Sequence, residues 1–193
     1  MTPVPWWGLA SSAAAPVLLI GGWTLAAERQ RGGFDSAVET ISALAAQGAD
    51  DRWLMAAALA GLGVCHVVTA AALRDAAPLG RAVLAAGGLA TVVVAAVPLP
   101  ADDTGSAVHT AAAGFSFLAL AVWPAASWRR DARSPFSPGV SIAAATVLLG
   151  LVGWFGAELT ADSDRVGVSE RIAAGAQSLW PAAVAWGSMR RRR

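Results

Sequence analysis

The sequence has no lysine and no tyrosine, a single cysteine, two histidines and few charged residues of either sign. Charged residues make up 14% of the 193 residues, whereas a soluble domain usually contains about 25%. Because Cys65 is the only cysteine, an intrachain disulfide is excluded. The net charge of +1 provides no basic surface, so we expect no nucleic-acid partner.

Motifs that bind metals, nucleotides or acyl groups are missing as well. The chain contains neither HxxxH nor HExxH, no EF-hand spacing, no Gly-rich phosphate loop and no GxSxG. We therefore expect no metal site. These patterns assign no cofactor, and they leave open whether the protein is an enzyme.

The residues that are abundant are apolar, and they are grouped in six long blocks. A helix needs roughly 20 apolar residues to cross a bilayer of about 30 Å. The pattern predicts an all-α polytopic membrane bundle that forms one transmembrane domain over residues 1–193. The six predicted transmembrane helices lie near residues 7–27, 53–73, 79–99, 107–128, 139–159 and 171–189.

The arginines between these blocks predict the orientation of the chain, because loops on the cytoplasmic side are enriched in basic residues. With the N-terminus inside, the inner loops hold nine arginines: Arg74, Arg81, Arg129, Arg130, Arg133 and Arg190 to Arg193. The outer loops then hold five: Arg29, Arg31, Arg52, Arg165 and Arg171. We expect a multi-pass protein of the plasma membrane with both termini in the cytoplasm and an acidic outer face.

The connection between the first two helices, residues 28–52, is the longest and carries a pattern of its own. Ser36 and Glu39 have the spacing of a capping box, which marks the start of a helix. Apolar residues then recur at helical intervals up to Gly48. The pattern predicts a short amphipathic helix over residues 37–47 on the outer surface of the bundle.

This segment also carries a family resemblance. Phe34-Asp35, followed by Glu-Thr-Ile-Ser-Ala-Leu at 39–44, resembles the D…IS-x-L signature of a bacterial and archaeal membrane family catalogued as domain of unknown function 998. Val-Pro-Leu-Pro at 97–100 and His109 are similar to further family positions, and residues 167–172 resemble its GL-x-ER stretch. The resemblance implies a six-helix membrane fold. It implies no activity, because none is assigned to that family.

The predicted orientation places the unusual polar residues on one side of the membrane. The outer candidates are Asp35, Glu39, Ser42, His109, Glu170 and Arg171. One reading is a pocket at the outer leaflet, in which Arg171 holds an anionic head group and His109 is a base or metal ligand. The other reading is structural, with Arg171 pairing with Glu39 or Asp35 to fix the surface helix. We expect Asp35, Glu39, His109 and Arg171 to converge.

His66 is a polar residue that is predicted to lie deep inside the membrane, where no carboxylate lies at its depth. It lies roughly 20 Å below Trp53 if each helical residue rises 1.5 Å. A histidine at that depth is a candidate functional residue. The simpler interpretation is a neutral ring that forms hydrogen bonds with Thr69, Thr91, Thr146 or backbone carbonyls.

Three classes of function fit these observations. The first is a membrane-embedded enzyme or binding protein that takes a lipid head group or a small ligand at the outer leaflet. The second is an accessory subunit that packs against a membrane-protein partner. The third is a small transporter, which the absence of charges at mid-depth disfavours.

Overall fold

The computed structural model describes residues 3–101, 105–130 and 135–190, and all regular structure within these ranges is helical. Its six long helices are α1 (Trp6–Glu28), α2 (Trp53–Ala72), α3 (Pro78–Ala96), α4 (Ala107–Ala126), α5 (Pro138–Thr160) and α6 (Val166–Arg190). A short 3-10 helix, Ser42–Ala45, lies between α1 and α2. Five of the long helices, α1 to α5, are long and apolar enough to cross a membrane. The predicted all-α membrane bundle is confirmed.

The six helices form a closed ring. Each helix packs against the next one along the chain, and α6 returns to pack against α1. Two clusters of buried apolar side chains fill the ring. One, which includes Leu19, Leu44 and Met55, lies at the end that carries the 3-10 helix. The other includes Leu84 and Trp123. One face of each helix is therefore turned toward a common interior.

Proline and serine determine several helix ends. Pro78 and Pro138 occupy the first turns of α3 and α5, where proline removes no helical hydrogen bond. At the other end of α3, Val97 precedes Pro98 and leaves the helical conformation, as residues before proline usually do. Consequently α3 ends at Ala96, a few residues before the predicted boundary.

The start of α6 differs more from the prediction. The helix begins at Val166 rather than near residue 171, so Glu170 and Arg171 are both helical. The backbone N–H of Val168 in the first turn donates to the Ala37 carbonyl at 3.0 Å. Such N–H groups have no partner inside their own helix. The connection between α1 and α2 supplies a partner for the Val168 N–H, and this supports the earlier start of α6.

The predicted α-helix over residues 37–47 is wrong in type and extent. Only Ser42–Ala45 are helical, in the 3-10 form. The predicted capping box is also wrong by one residue, because Glu39 Oε1 accepts from the backbone N–H of Asp35 at 2.9 Å. Ile41 and Leu44 are nevertheless buried as the apolar pattern indicated. We call residues 34–47 the cover segment, because Ile41 and Ser42 lie over the interior cavity described below.

Candidate functional site

His109 fastens the cover segment to the end of α3. It lies in the first turn of α4, which Ser106 caps. Its buried ring places Nδ1 2.7 Å from the Val97 carbonyl oxygen and Nε2 3.1 Å from Ser42 Oγ. A carbonyl oxygen only accepts, so in the neutral ring we assign the proton to Nδ1, and Nε2 accepts from the Ser42 hydroxyl. Both ring nitrogens are thus engaged.

Glu170 holds the cover segment from the side of α6. Its carboxylate is buried, and Oε2 accepts a hydrogen bond from the backbone N–H of Ile41 at 2.5 Å. Two ion pairs occur within the described ranges: Arg29 with Asp51, at 3.2 Å, and Arg165 with Glu158, at 3.5 Å. Glu170 belongs to neither. It is a buried carboxylate with a backbone donor and without a cation paired to it among the described residues.

Arg171 binds the backbone of the cover segment. Its Nη1 donates to the carbonyl oxygens of Ser36 at 2.9 Å, Glu39 at 2.8 Å and Gly167 at 3.0 Å. These three bonds join α6 to the start of the cover segment. A cation is well suited to this place because it compensates several carbonyl dipoles that point at one spot.

The rest of the Arg171 guanidinium faces aromatic rings. Nε and Nη2 are buried and have no hydrogen-bond partner among the described residues. The guanidinium carbon lies 5.9 Å from the ring centre of Trp23 and 5.6 Å from that of Phe34. These distances lie within the range of cation–π attraction. The faces of the two rings therefore take the place of conventional acceptors.

Asp35 and Glu39 order the beginning of the cover segment. Both are exposed. Asp35 Oδ1 accepts from the Ala37 backbone N–H at 2.8 Å, while Glu39 reaches back to the N–H of Asp35. Neither carboxylate forms an ion pair with Arg171 in the described part of the chain. Of the six predicted residues, Ser42 and His109 are in direct contact; the other four act through backbone groups of the same segment.

Beneath the cover segment lies a cavity of about 50 Å³. Its wall is mainly apolar, with Leu19, Leu62 and Phe117 among its residues. Six polar side chains also line it: Ser42, His66, Thr91, Ser116, Glu170 and Gln177. A mostly apolar wall with a few convergent polar groups is typical of ligand sites, and the volume of this cavity admits only a small molecule.

His66 is the most unusual residue of this cavity. Its side chain is 1% exposed, and neither ring nitrogen has a hydrogen-bond partner within the described ranges. The predicted bonds to Thr69, Thr91 or Thr146 are therefore wrong. Thr69 donates to Ser11 Oγ at 3.3 Å instead. Leaving a buried polar group without a partner costs about 1–3 kcal/mol, so this ring calls for an explanation beyond packing.

The hydroxyl groups that face His66 are bonded to each other and to the backbone. Thr91 Oγ1 and Ser116 Oγ lie 2.7 Å apart, and each lies within 3.2 Å of the Gly87 carbonyl oxygen. Two hydroxyl protons serve these three contacts. Gln177 Nε2 donates to the Phe117 carbonyl at 2.8 Å. The hydroxyl pair therefore offers the cavity lone pairs and no proton.

Sequence reasoning named Thr91 only as a possible partner of His66 and missed Ser116 and Gln177, although α6 contained a signal. Glu170, Ala174 and Gln177 all line the cavity, and their spacing puts them on one face of a helix. An isolated glutamine in an apolar helix, two turns after a glutamate, marks a polar face. No comparable pattern marks Thr91 and Ser116 as cavity residues, because single hydroxyl residues are common in membrane helices.

Metal ions in proteins are usually held by groups of histidine, cysteine or acidic side chains. Among the residues that the structure describes, no group of three or more histidine, cysteine, aspartate or glutamate side chains could hold an ion. His66 and Glu170 are the two strong ligand types at the cavity. The chemistry available there is hydrogen bonding, charge compensation and proton exchange.

The ring of apolar helices defines a multi-pass helical membrane protein that contacts the lipid bilayer. The family model described as "Protein of unknown function (DUF998)" matches residues 12–187, and the chain belongs to this family. The resemblance carried by the cover segment and by the start of α6 is thereby confirmed. No curated protein and no solved structure matches the chain.

Proposed function

We propose that this protein binds a small ligand or a lipid head group in the cavity beneath the cover segment. The observation that carries the proposal is His66, a buried ring with two unsatisfied nitrogens at the wall of a cavity. A bound molecule that both accepts and donates would satisfy the ring, and the surrounding apolar wall would exclude competing water. The bound ligand would thus stabilise the folded bundle. The polar groups and the apolar wall of the cavity would determine which ligand binds.

We propose a positioning role for the outer polar residues. Asp35 and Glu39 order the cover segment, while Ser42, His109, Glu170 and Arg171 hold it over the cavity. The contacts of Arg171 support this role better than the capture of an anionic head group, because its free N–H groups are buried against rings. His109 has no free nitrogen for a metal ion.

The proposed setting is the plasma membrane, with one transmembrane domain, six spanning helices and both termini in the cytoplasm. The excess of inner arginines supports this orientation. Arg133 and Arg191 to Arg193, which contribute to that excess, lie outside the described residues. The cavity then opens toward the outer leaflet. A reporter that is active only outside the cell, fused to the C-terminus, should give no signal. A signal from this reporter would contradict the orientation.

Native mass spectrometry tests the proposed binding function. The wild-type chain, released from membranes with its bound molecules, should carry a non-protein mass that survives detergent removal. The His66→Leu variant should lose that mass, because leucine fills similar space without a donor or acceptor.

Ser178→Ala is the matched control. Ser178 is also buried in the bundle, but its hydroxyl donates to Gly175 within α6 and it does not line the cavity. This variant should retain the bound mass. Binding in the cavity is refuted if His66→Leu retains the mass to the same extent as the control, or if no preparation of the wild type carries one.

A further inference from the structure

The polar groups around the cavity are unequally divided between donors and acceptors. The protons of Thr91 and Ser116 are used among themselves and the Gly87 carbonyl. The proton of Ser42 is donated to His109 Nε2, and the N–H of Ile41 is donated to Glu170. These groups therefore present lone pairs to the cavity, and the donors that line it are the N–H of the His66 ring and the second N–H of the Gln177 amide.

The charge of the Glu170 carboxylate also favours a ligand that donates hydrogen bonds. Glu170 places a buried carboxylate at the cavity wall, and no ion pair within the described ranges involves it. Arg171, the next residue, is directed to the carbonyls of Ser36 and Glu39 instead. Arg171 interacts with Glu170 through its charge but forms no ion pair with it. A cation bound in the cavity would compensate a Glu170 carboxylate more directly, and an anion would be repelled by it.

The volume of the cavity limits the size of the ligand. The cavity measures about 50 Å³, and a water molecule needs about 10–15 Å³ of such space. There is thus room for about three to five water-sized groups. Most of the wall is apolar, including Leu59, Val94 and Ala113, so the ligand carries a short hydrocarbon part beside its polar end.

We propose that the cavity binds a primary ammonium group on a short carbon chain. This inference rests on the proposed binding function and names its ligand class. The three N–H bonds of the ammonium group match three acceptors: the Glu170 carboxylate, the Thr91–Ser116 pair and the unprotonated nitrogen of His66. The ammonium group thus satisfies one of the two ring nitrogens of His66. The same chemistry occurs in a free alkylamine and in the ethanolamine head group of a phospholipid.

The test compares three probes of similar size: propylamine, propan-1-ol and propionate. The full chain is placed in nanodiscs of phosphatidylcholine, and the midpoint of thermal unfolding is followed as each probe is added. Propylamine should raise the midpoint in a saturable manner, propan-1-ol should act at least about tenfold more weakly because it lacks the charge, and propionate should have no effect.

Two variants assign the effect to the cavity. Glu170→Gln should abolish the preference for propylamine over propan-1-ol. Ser116→Ala, which keeps the contact between Glu170 and the cover segment, should weaken propylamine several-fold. Glu158→Gln is the matched control: Glu158 accepts from Trp154 and Ser163 near the end of α5, away from the cavity. It should leave the propylamine response unchanged.

Nanodiscs that contain phosphatidylethanolamine distinguish the two sources of the ammonium group, a free alkylamine and a phospholipid head group. If the head group is the natural ligand, it should occupy the cavity and suppress the propylamine response; if a free amine is the ligand, the response should persist.

The ammonium proposal is overturned if propan-1-ol binds as tightly as propylamine, or if Glu158→Gln and Glu170→Gln behave alike. A response to none of the probes, with a bound mass in native spectra, would reject the ligand class alone. A response to none of them without such a mass would reject the binding function as well.

Discussion

His66 and His109 are the two histidines of the chain, and both are buried. His109 uses both ring nitrogens, one toward the Val97 carbonyl and one toward Ser42. His66 uses neither. A residue maintained only for the stability of the fold would be expected to resemble His109, because the bundle gains nothing from an unsatisfied ring. Under the proposed function, His109 holds the architecture together and His66 binds the ligand.

Replacing each histidine by leucine should therefore have opposite effects on stability. His66→Leu should raise the free energy of unfolding by about 1 kcal/mol, because it removes a buried group without a partner. His109→Leu should lower it by about 2–3 kcal/mol, because the part-buried Val97 carbonyl and Ser42 hydroxyl lose their bonds. Thermal or denaturant unfolding in one detergent measures both. Equal destabilisation by the two substitutions would contradict this division of roles.

At the scale of elements, the cover segment and the start of α6 depend on each other. The cover segment has little regular hydrogen bonding of its own. Side chains and a backbone N–H of α6 supply partners for its backbone instead. Val168 N–H, the Arg171 guanidinium and the Glu170 carboxylate bind the backbone of residues 36–41. In return, the segment satisfies an N–H of the first turn of α6. The family motifs at 39–44 and 167–172 are the two halves of this interface.

Gly167 permits the close contact between these halves. A Cβ atom at this position would lie 2.5 Å from the Glu39 carbonyl oxygen and 2.6 Å from that of Ser36. Both neighbours are backbone atoms, which move only with the segment. Gly167→Ala should therefore lower the free energy of unfolding by about 1–3 kcal/mol and accelerate proteolytic cleavage within the cover segment.

Gly175→Ala provides the control on the same helix. Its added Cβ would meet nothing closer than Trp23, at 3.8 Å. Alanine favours a helix over glycine by about 1 kcal/mol, so this variant should be neutral or slightly stabilising. If both glycine variants leave the cleavage rate of the cover segment unchanged, the interface does not hold the segment in place.

The long helices could be predicted from the sequence because their length and composition are set by the membrane itself. The cover segment could not be predicted in the same way. Ser36, Glu39 and the apolar spacing have the local signature of an α-helix, but the backbone of that stretch is satisfied by Arg171 and Glu170, more than a hundred residues away. Local patterns contain no information about such distant partners.

At the scale of the whole molecule, closure of the ring produces the cavity. Polar residues that are scattered along the chain, such as His66, Thr91 and Gln177, meet because α1 to α4 and α6 line one interior cavity. Thr91 is unremarkable within its own helix, whereas His66 and Gln177 are isolated polar residues in apolar helices. The candidate residues near the helix ends could be predicted from charge, while the interior site required the arrangement of the helices that surround it.

An experimental structure of the wild-type chain in lipid nanodiscs, at a resolution that shows ordered small molecules, tests the central claim most directly. Non-protein density should occupy the cavity beneath the cover segment and lie within hydrogen-bonding distance of a His66 ring nitrogen. An empty cavity, or a His66 ring that is bonded to a protein group with no room beside it, would contradict a ligand site at this place.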